Sequence, residues 1–334
     1  MGKAESPIEV SRRLNNEAAM LHVNGQSDAA RDRYAQAIAA HPENATAHNN
    51  LGYLLAQMGE LDAAVAEYET ALALAPENTT ALANLASARA VQGDLKEGLR
   101  LLERAVSLAP ENVQAWENLG RLALAAERLD RSEAALRRAL ALGGDAYDRR
   151  AGVLLQLGAV VAARGRLGEA AEIMEAGCTA NPSDASAWRQ LGALRFLRQD
   201  YGLATEALET ALRISPSDQE ALRHLYLTHL ARGRRTEAEA MLLRLIETAP
   251  HDPGPQTDLA LLRLDRREYA TAAAILAQAA ALPDAGARTR FYHGLALWLS
   301  GQHVEGRAAL SALAAEGGTY GERALQQLAE LSEA

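Results

Sequence analysis

The chain has 334 residues, of which 49% are hydrophobic and only 4% aromatic, and its formal net charge is −9 at pH 7. The negative charge argues against a general nucleic-acid binder, and the single cysteine, Cys178, excludes a disulfide framework and a thiolate metal site. No apolar run reaches membrane-spanning length, and the N-terminus lacks a signal-peptide core, so we expect a cytoplasmic protein without membrane insertion. Its preference for arginine over lysine is typical of a GC-rich, bacterial genome.

The chain is divided by prolines that recur every 34 residues, and such a period predicts one structural unit copied along the chain. Gly144, Asp284 and Gly318 continue the period as equivalent breakers. The interval from Gly144 to Pro182 is 38 residues, which indicates a four-residue insertion. The periodic prolines are Pro42, Pro76 and Pro110, followed by Pro182, Pro216 and Pro250.

Alignment on these breakers gives nine repeats. Residues 1–10 precede the repeats, and we expect them to be flexible. Repeats 1–4 cover residues 11–146, the insertion covers 147–150, and repeats 5–9 cover 151–318. Residues 319–334 predict an amphipathic capping helix with Leu325, Leu328 and Leu331 on one side. The repeats begin at Ser11, Ala45, Thr79, Val113, Ala151, Ala185, Gln219, Pro253 and Ala287.

Each repeat has the pattern of two short helices, which the second repeat shows most clearly. Apolar residues around Gly52 fall at helical spacing and are followed by Gly59, which ends the first helix in a left-handed conformation. The spacing resumes around Ala64 and Tyr68 and stops at Pro76, which cannot continue a helix. We expect Gly52 and Ala64 to face each other across the helix pair, where a larger side chain would clash.

This pattern resembles the tetratricopeptide repeat family from about residue 11 to residue 318. Small residues recur at the Gly52 and Ala64 positions, and Trp116 and Trp188 occupy the family's first aromatic position. The resemblance implies an all-α fold, namely a right-handed superhelical α-solenoid of about nine helix-turn-helix repeats plus the capping helix, in which neighbouring repeats stabilise each other. Departures from the family pattern are His48, Gly98, Ser132, Gln256 and Arg267.

The sequence carries no recognisable catalytic motif. It has no phosphate-binding glycine loop and no histidine pair with metal spacing, and a solenoid offers no closed pocket for a catalytic triad. We therefore expect a protein that is not an enzyme and uses neither cofactor nor metal. The resemblance implies a protein–protein interaction scaffold that holds an extended or helical segment of a protein or peptide partner in its concave groove.

The sixth residue of each repeat is expected to point into this groove. In the first six repeats it is a carboxamide, which can pair with a peptide backbone as donor and as acceptor. The row resembles the asparagine ladder in the repeats of O-GlcNAc transferase. This sequence does not include a counterpart of the transferase's catalytic domain, so the resemblance implies only the peptide-holding role. Alternatively, these amides bond only within the scaffold. The candidate groove residues are Asn16, Asn50, Asn84, Asn118, Gln156 and Gln190, with Tyr53 and Arg121 at the ninth position and with Arg189 and Arg223 at the fifth, where they could bind a ligand carboxylate.

The ninth and twelfth positions become apolar in the second half of the chain. An exposed apolar stripe is typical of a site for an amphipathic helix or for a second copy of the chain, so a homodimer is possible. The alternative is that these side chains pack between neighbouring first helices. The residues are Phe196, Leu227, Leu230, Leu261, Leu264, Leu295 and Trp298.

Arginines in the later helix-helix turns, from Arg164 to Arg267, form a candidate basic edge for an acidic partner, or else an ordinary solvated surface. Two other functions stay open beside the scaffold. One is a regulatory or substrate-recruiting subunit of a separately encoded enzyme, such as a glycosyltransferase. The other is a structural protein that assembles with itself through the apolar stripe.

Overall fold

The computed structural model describes residues 5–333, which form nineteen α-helices and no β-strand. The predicted all-α solenoid is confirmed: successive helices pair as antiparallel hairpins of about 34 residues. The chain divides into two compact bodies, one up to Ala180 and the other from Asn181 onwards. We call them the N-terminal and C-terminal bodies. Within the described residues, no helix is long and apolar enough to cross a bilayer.

The N-terminal body contains five hairpins, in which each first helix pairs with the helix that follows it. Their helices are α1 (Pro7–Val23), α2 (Ser27–Ala40), α3 (Ala45–Gln57), α4 (Leu61–Leu74), α5 (Thr79–Val91), α6 (Leu95–Leu108), α7 (Val113–Ala125), α8 (Leu129–Gly143), α9 (Arg150–Ala163) and α10 (Leu167–Ala180).

The C-terminal body contains four hairpins and a final helix. Its helices are α11 (Ala185–Leu197), α12 (Tyr201–Ile214), α13 (Gln219–Ala231), α14 (Arg235–Thr248), α15 (Pro253–Asp265), α16 (Tyr269–Ala280), α17 (Ala287–Leu299), α18 (His303–Glu316) and α19 (Gly318–Glu333).

Besides α1, six of the first helices begin after a side-chain cap. The carboxamide of Asn44, Asn78 or Asn112 accepts a hydrogen bond from the backbone N–H three residues later in the N-terminal body. In the C-terminal body, Asp184 and Asp218 likewise accept from the N–H three residues later, and Asp252 accepts from the N–H two residues later. These caps satisfy N–H groups that have no partner within the helix.

Helix α1 begins earlier than the sequence predicts. Ser6 and Glu9 form a reciprocal capping box and Pro7 occupies the first turn, so residues 7–10 of the segment predicted to be flexible are helical. Residues 1–4 of that segment lie outside the described residues. The serine and glutamate three residues apart are the signal that sequence reasoning passed over.

The turn inside each hairpin closes on a residue in the left-handed region, with φ between 57° and 91°. In six hairpins this residue is glycine, and the predicted role of Gly59 is confirmed by its φ of 84°. In the other three hairpins it is Glu127, Gln199 or Arg267. This conformation costs an L-residue other than glycine about 1–2 kcal/mol, because its Cβ approaches the following carbonyl oxygen.

Replacing Glu127, Gln199 and Arg267 by glycine is therefore expected to stabilise the protein. Each change should raise the free energy of unfolding by about 0.5–1 kcal/mol, since relief of strain exceeds the added entropy of the unfolded glycine. Urea denaturation of the full chain measures the effect. Arg128→Gly is the matched control, because φ of Arg128 is −89° and glycine relieves nothing there. Equal effects at residues 127 and 128 would contradict the explanation.

The two helices of a hairpin cross at small residues. A Cβ added to Gly120 would lie 2.6 Å from the Cγ of Leu136, which is far inside van der Waals contact. The third repeat reverses the usual order: Ala86 stands on the first helix and Gly98 faces it from the second. In the fourth repeat Ser132 replaces alanine, and its Oγ donates to the carbonyl oxygen of Gly120 at 2.7 Å. Two of the departures from the family pattern thus preserve the close crossing.

The carbonyl oxygen of every periodic proline accepts a side-chain hydrogen bond. In four repeats the donor is the fourth residue of the first helix, and in the two repeats with leucine there an arginine of the second helix replaces it. The donors are His48 to Pro42 (3.0 Å), Trp116 to Pro110 (2.8 Å), Trp188 to Pro182 (3.1 Å), Gln256 to Pro250 (3.3 Å), Arg104 to Pro76 (2.7 Å) and Arg244 to Pro216 (2.8 Å).

The final helix packs on the hairpin of α17 and α18, with Leu328 and Leu331 against Leu310 and Leu313. The predicted place of Leu325 on this face is wrong, since it is 58% exposed. The close approach of Gly321 to α18, where an added Cβ would lie 3.0 Å from the Leu313 carbonyl oxygen, turns the helix so that Ala324 is buried instead.

Candidate functional site

Three first helices of the N-terminal body, α1, α3 and α5, are joined by a ladder of asparagine side chains. Asn50 on α3 donates through Nδ2 to Oδ1 of Asn15 on α1 at 3.1 Å, and Asn84 on α5 donates to Asn49 on α3 at 3.0 Å. These bonds set the fifth residue of one repeat beside the sixth residue of the next. We call the surface formed by positions 2, 5, 6, 9 and 12 of α3, α5 and α7 the first-helix face.

Four of the predicted carboxamides bond to the chain itself, two of them to the preceding first helix and two within their own helix. Asn50 and Asn84 bond within the scaffold through one amide hydrogen, and both are half-buried. Asn118 accepts from Gln114 at 3.3 Å, and Gln190 donates to Ser186 at 3.3 Å.

Several hydrogen-bonding groups of these carboxamides make no hydrogen bond within residues 5–333. They are Oδ1 of Asn84, Nδ2 of Asn118 and the side-chain amide of the exposed Asn16. Oε1 of the half-buried Gln156 is likewise without a partner there.

The ninth position adds one aromatic and one cationic side chain to this face. Tyr53 is 47% exposed, and its ring lies 5.8 Å from the ring of His22 on α1, measured between centroids. His22 in turn contacts Oε1 of Gln57 through Nε2 at 2.7 Å. Arg121 on α7 is exposed, and among residues 5–333 it has neither an ion-pair nor a hydrogen-bond partner.

The insertion lies against the N-terminal half of α7, which sequence reasoning did not foresee. Glu117, at the fifth position, is only 2% exposed and accepts from Tyr147 Oη and from a guanidinium nitrogen of Arg149, both at 2.5 Å. Arg149 also donates to Gln114. Desolvation and the bond to Glu117 raise the pKa of Tyr147 to about 12, so the phenol stays protonated as the donor.

In the C-terminal body, the two arginines predicted to bind a ligand carboxylate are paired with carboxylates of the chain itself. Arg189 lies 3.4 Å from Oδ2 of Asp218, and Arg223 lies 3.3 Å from Oδ2 of Asp252. The other oxygen of each aspartate caps the next first helix. A ligand carboxylate would have to compete with these aspartates.

The seven predicted apolar residues are largely covered. Leu227 is 38% exposed and the other six are half-buried. Leu230, Leu264 and Leu295 pack against clusters of buried residues in the C-terminal body. Phe196 contacts the ring of Tyr201, and Trp298 contacts His303 and the guanidinium of Arg307. Phe196 and Trp298 thus contact the second helix of their own hairpin, and Leu230, Leu264 and Leu295 pack into clusters of buried residues.

The arginines of the turns are mostly neutralised. Arg164 and Arg166 bind Glu133, a buried residue of α8 that also accepts from Arg137 at 3.0 Å. Hydrogen bonds from these arginines, that of Arg166 above all, lower the pKa of Glu133 to about 2. In the C-terminal body, Arg235 pairs with Asp265 and Arg266 with Glu239. The turns therefore carry less free positive charge than the sequence indicates.

Comparison with protein families supports the repeat assignment. Family models described as tetratricopeptide repeat match residues 23–79 and 83–147, residues 151–194 and residues 195–261, which together are well over half of the chain. A comparison with curated proteins gives no match.

Solved structures show the same fold. The C-terminal part of a repeat-containing protein from Cytophaga hutchinsonii is 14% identical and superposes with a TM-score of 0.63, covering 72% of this chain and 97% of that one. A tetratricopeptide repeat protein from Parabacteroides merdae is 18% identical with a TM-score of 0.53, covering 76% and 98%. For pilF of Pseudomonas aeruginosa the values are 20%, 0.53, 62% and 92%.

Proposed function

The chain belongs to the tetratricopeptide repeat family, and from this premise we propose that it is a scaffold that holds an extended segment of a protein partner on the first-helix face of its N-terminal body. The fold and family are those of protein-interaction scaffolds. The observation that carries the proposal is that polar atoms of Asn84 and Asn118 on this face make no hydrogen bond within residues 5–333. They lie on the same face as the exposed Tyr53 and Arg121.

The asparagine ladder prepares this face for a ligand. Because Asn50 and Asn84 are each held by the preceding helix, their side chains are already oriented and lose little rotational freedom when a peptide binds. The second amide hydrogen of each then donates to a C=O group of an extended chain, and the free oxygen of Asn84 accepts from one of its N–H groups.

The amides alone give weak binding. Each hydrogen bond to a peptide contributes about 0.5–1.5 kcal/mol net, so four such bonds, one from Asn50, two from Asn84 and one from Asn118, supply at most about 6 kcal/mol, or a Kd on the order of 0.1 mM before the peptide is ordered. Tighter binding requires side-chain anchors, which this face offers at Tyr53 and Arg121.

The test uses a library of random twelve-residue peptides displayed on phage and selected on the immobilised full chain. A variant in which Asn50, Asn84 and Asn118 are all alanine is expected to bind the selected peptides at least about 10-fold more weakly, since three hydrogen-bonding side chains are lost. Fluorescence anisotropy with synthetic copies of the selected peptides measures the affinity.

The control is the double variant Asn78→Ala, Asn112→Ala. It removes two helix caps and so lowers stability by about 1 kcal/mol for each cap, but it leaves the amides of the face in place. Its affinity is expected to stay within about 3-fold of the wild type, a change of under 1 kcal/mol. If the wild type selects no peptide, or if the triple variant binds as tightly as the wild type, the proposed function is wrong.

A further inference from the structure

In the second, third and fourth hairpins of the N-terminal body, acidic residues lie almost entirely on the second helix. The first helices α3, α5 and α7 contain a single acidic residue, whereas their partners α4, α6 and α8 contain seven. The single one is Glu117, whose two oxygens are occupied by Tyr147 and Arg149. In a chain of net charge −9, the first-helix face thus presents no accessible carboxylate.

Arg121 is the one unpaired arginine on this face. Within residues 5–180, every arginine apart from Arg12, Arg121 and Arg128 bonds to a carboxylate or carbonyl of the chain. Arg12 stands on α1, and Arg128 stands in the turn before α8. An exposed guanidinium among neutral amides is free to take a carboxylate in a bidentate hydrogen-bonded pair.

Tyr53 and Arg121 occupy the same position of their helices, two repeats apart. Packed helices lie about 8–10 Å apart, so two steps from α3 through α5 to α7 separate these anchors by roughly 16–20 Å. An extended chain advances about 3.3 Å per residue, so roughly five or six residues cover this distance.

Building on the proposed function, we propose that the partner segment is acidic: it places a carboxylate at Arg121 and an aromatic or apolar side chain at Tyr53, about five or six residues apart. The carboxamides between the anchors pair with the main chain of the intervening residues. A basic segment would find no carboxylate on this face and would face Arg121 with a like charge, which is destabilising.

The same phage library, selected on three proteins, tests the inference. Peptides selected on the wild type are expected to be enriched in aspartate or glutamate at about five or six residues from an aromatic or apolar residue. Selection on Arg121→Glu should replace the acids by lysine or arginine. Arg128→Glu is the matched control, because it reverses another unpaired arginine outside the face, and its peptides should remain acidic.

Fluorescence anisotropy with a selected peptide measures how much the pair between Arg121 and the peptide carboxylate contributes to affinity. Changing its enriched acid to the amide is expected to weaken binding about 5-fold to the wild type, and hardly at all to Arg121→Gln, because exposed ion pairs contribute up to about 1 kcal/mol. Circular dichroism checks that both Arg121 variants keep their helices.

The outcomes separate the two claims. Selected peptides that bind through Asn50, Asn84 and Asn118 but show no acid enrichment would overturn the acidic-partner inference and leave the scaffold function standing. The acidic-partner inference alone is also wrong if the peptides selected on Arg121→Glu are as acidic as those selected on the wild type. If the wild type selects no peptide, both claims fail.

Discussion

Replacing Gly98 by alanine is expected to lower the free energy of unfolding by about 3 kcal/mol, the upper end of the range for overpacking a core. The added Cβ would lie 2.8 Å from Cδ2 of Leu122 and 2.9 Å from the carbonyl oxygen of Ala86. The second of these atoms belongs to the backbone of α5 and cannot turn aside, so the two helices must separate. Urea denaturation of the full chain measures the loss.

A second substitution in the third repeat is expected to restore part of the stability lost in Gly98→Ala. In the second repeat the glycine is on the first helix and the alanine on the second, as Gly52 and Ala64. Combining Ala86→Gly with Gly98→Ala gives the third repeat that arrangement, so the double variant should be more stable than Gly98→Ala by about 1.5 kcal/mol or more, a coupling typical of residues in contact.

Gly152→Ala is the control for the helical preference of alanine, because nothing lies within 4 Å of its added Cβ. This change is expected to stabilise α9 by up to about 1 kcal/mol. Two results would show that the close crossing does not determine the stability of this hairpin. One is a free energy of unfolding that changes in Gly98→Ala as it does in Gly152→Ala, and the other is a double variant in which the effects of the two substitutions simply add.

Replacing Glu133 by glutamine is expected to lower the free energy of unfolding by about 2 kcal/mol at pH 7. Three arginines converge on this buried carboxylate, and its removal leaves them without their shared partner. Breaking a fully buried ion pair costs about 3–5 kcal/mol, but these arginines are 35–45% exposed, so water screens part of the loss.

The effect of Glu133→Gln should depend on pH. Because the pKa of Glu133 is lowered from 4.5 to about 2 in the folded chain, its stabilising effect is complete above pH 4.5 and is lost as the pH falls towards 2. The difference between wild type and variant should therefore shrink between pH 7 and pH 3. Glu111→Gln serves as control, since Glu111 is 80% exposed and pairs with Arg138 alone. A difference that does not change with pH would show that Glu133 does not act through its charge.

The sequence predicts the fold well because the signals are local and repeated. Proline, glycine and the small residues of the crossing act within one hairpin, and the period then places every copy. Counting residues between breakers locates the insertion, but nothing in the sequence predicts its conformation. Tyr147 and Arg149 bond to Glu117, about one repeat away, and no repetition marks a contact that occurs once.

The sequence predicts which residues form the candidate site, but it does not predict which groups their side chains bond to. Sequence alone leaves open whether Asn50 and Asn84 bond to a ligand or to the scaffold, and the structure shows a scaffold bond that leaves other groups unspent. The neighbouring Asn15 and Asn49 at the fifth position were the available signal. For Arg189 and Arg223, the signal was an aspartate 29 residues later in both cases.

The hydrogen bonds to the proline carbonyls bear on how such a chain evolves. Where Leu82 or Leu222 offers no donor, Arg104 or Arg244 supplies the bond from the opposite helix. Among these six repeats the bond is always present although its donor differs, so either of two positions in a repeat can supply it. Copies of one ancestral hairpin can in this way drift far apart in appearance and still stack as neighbours.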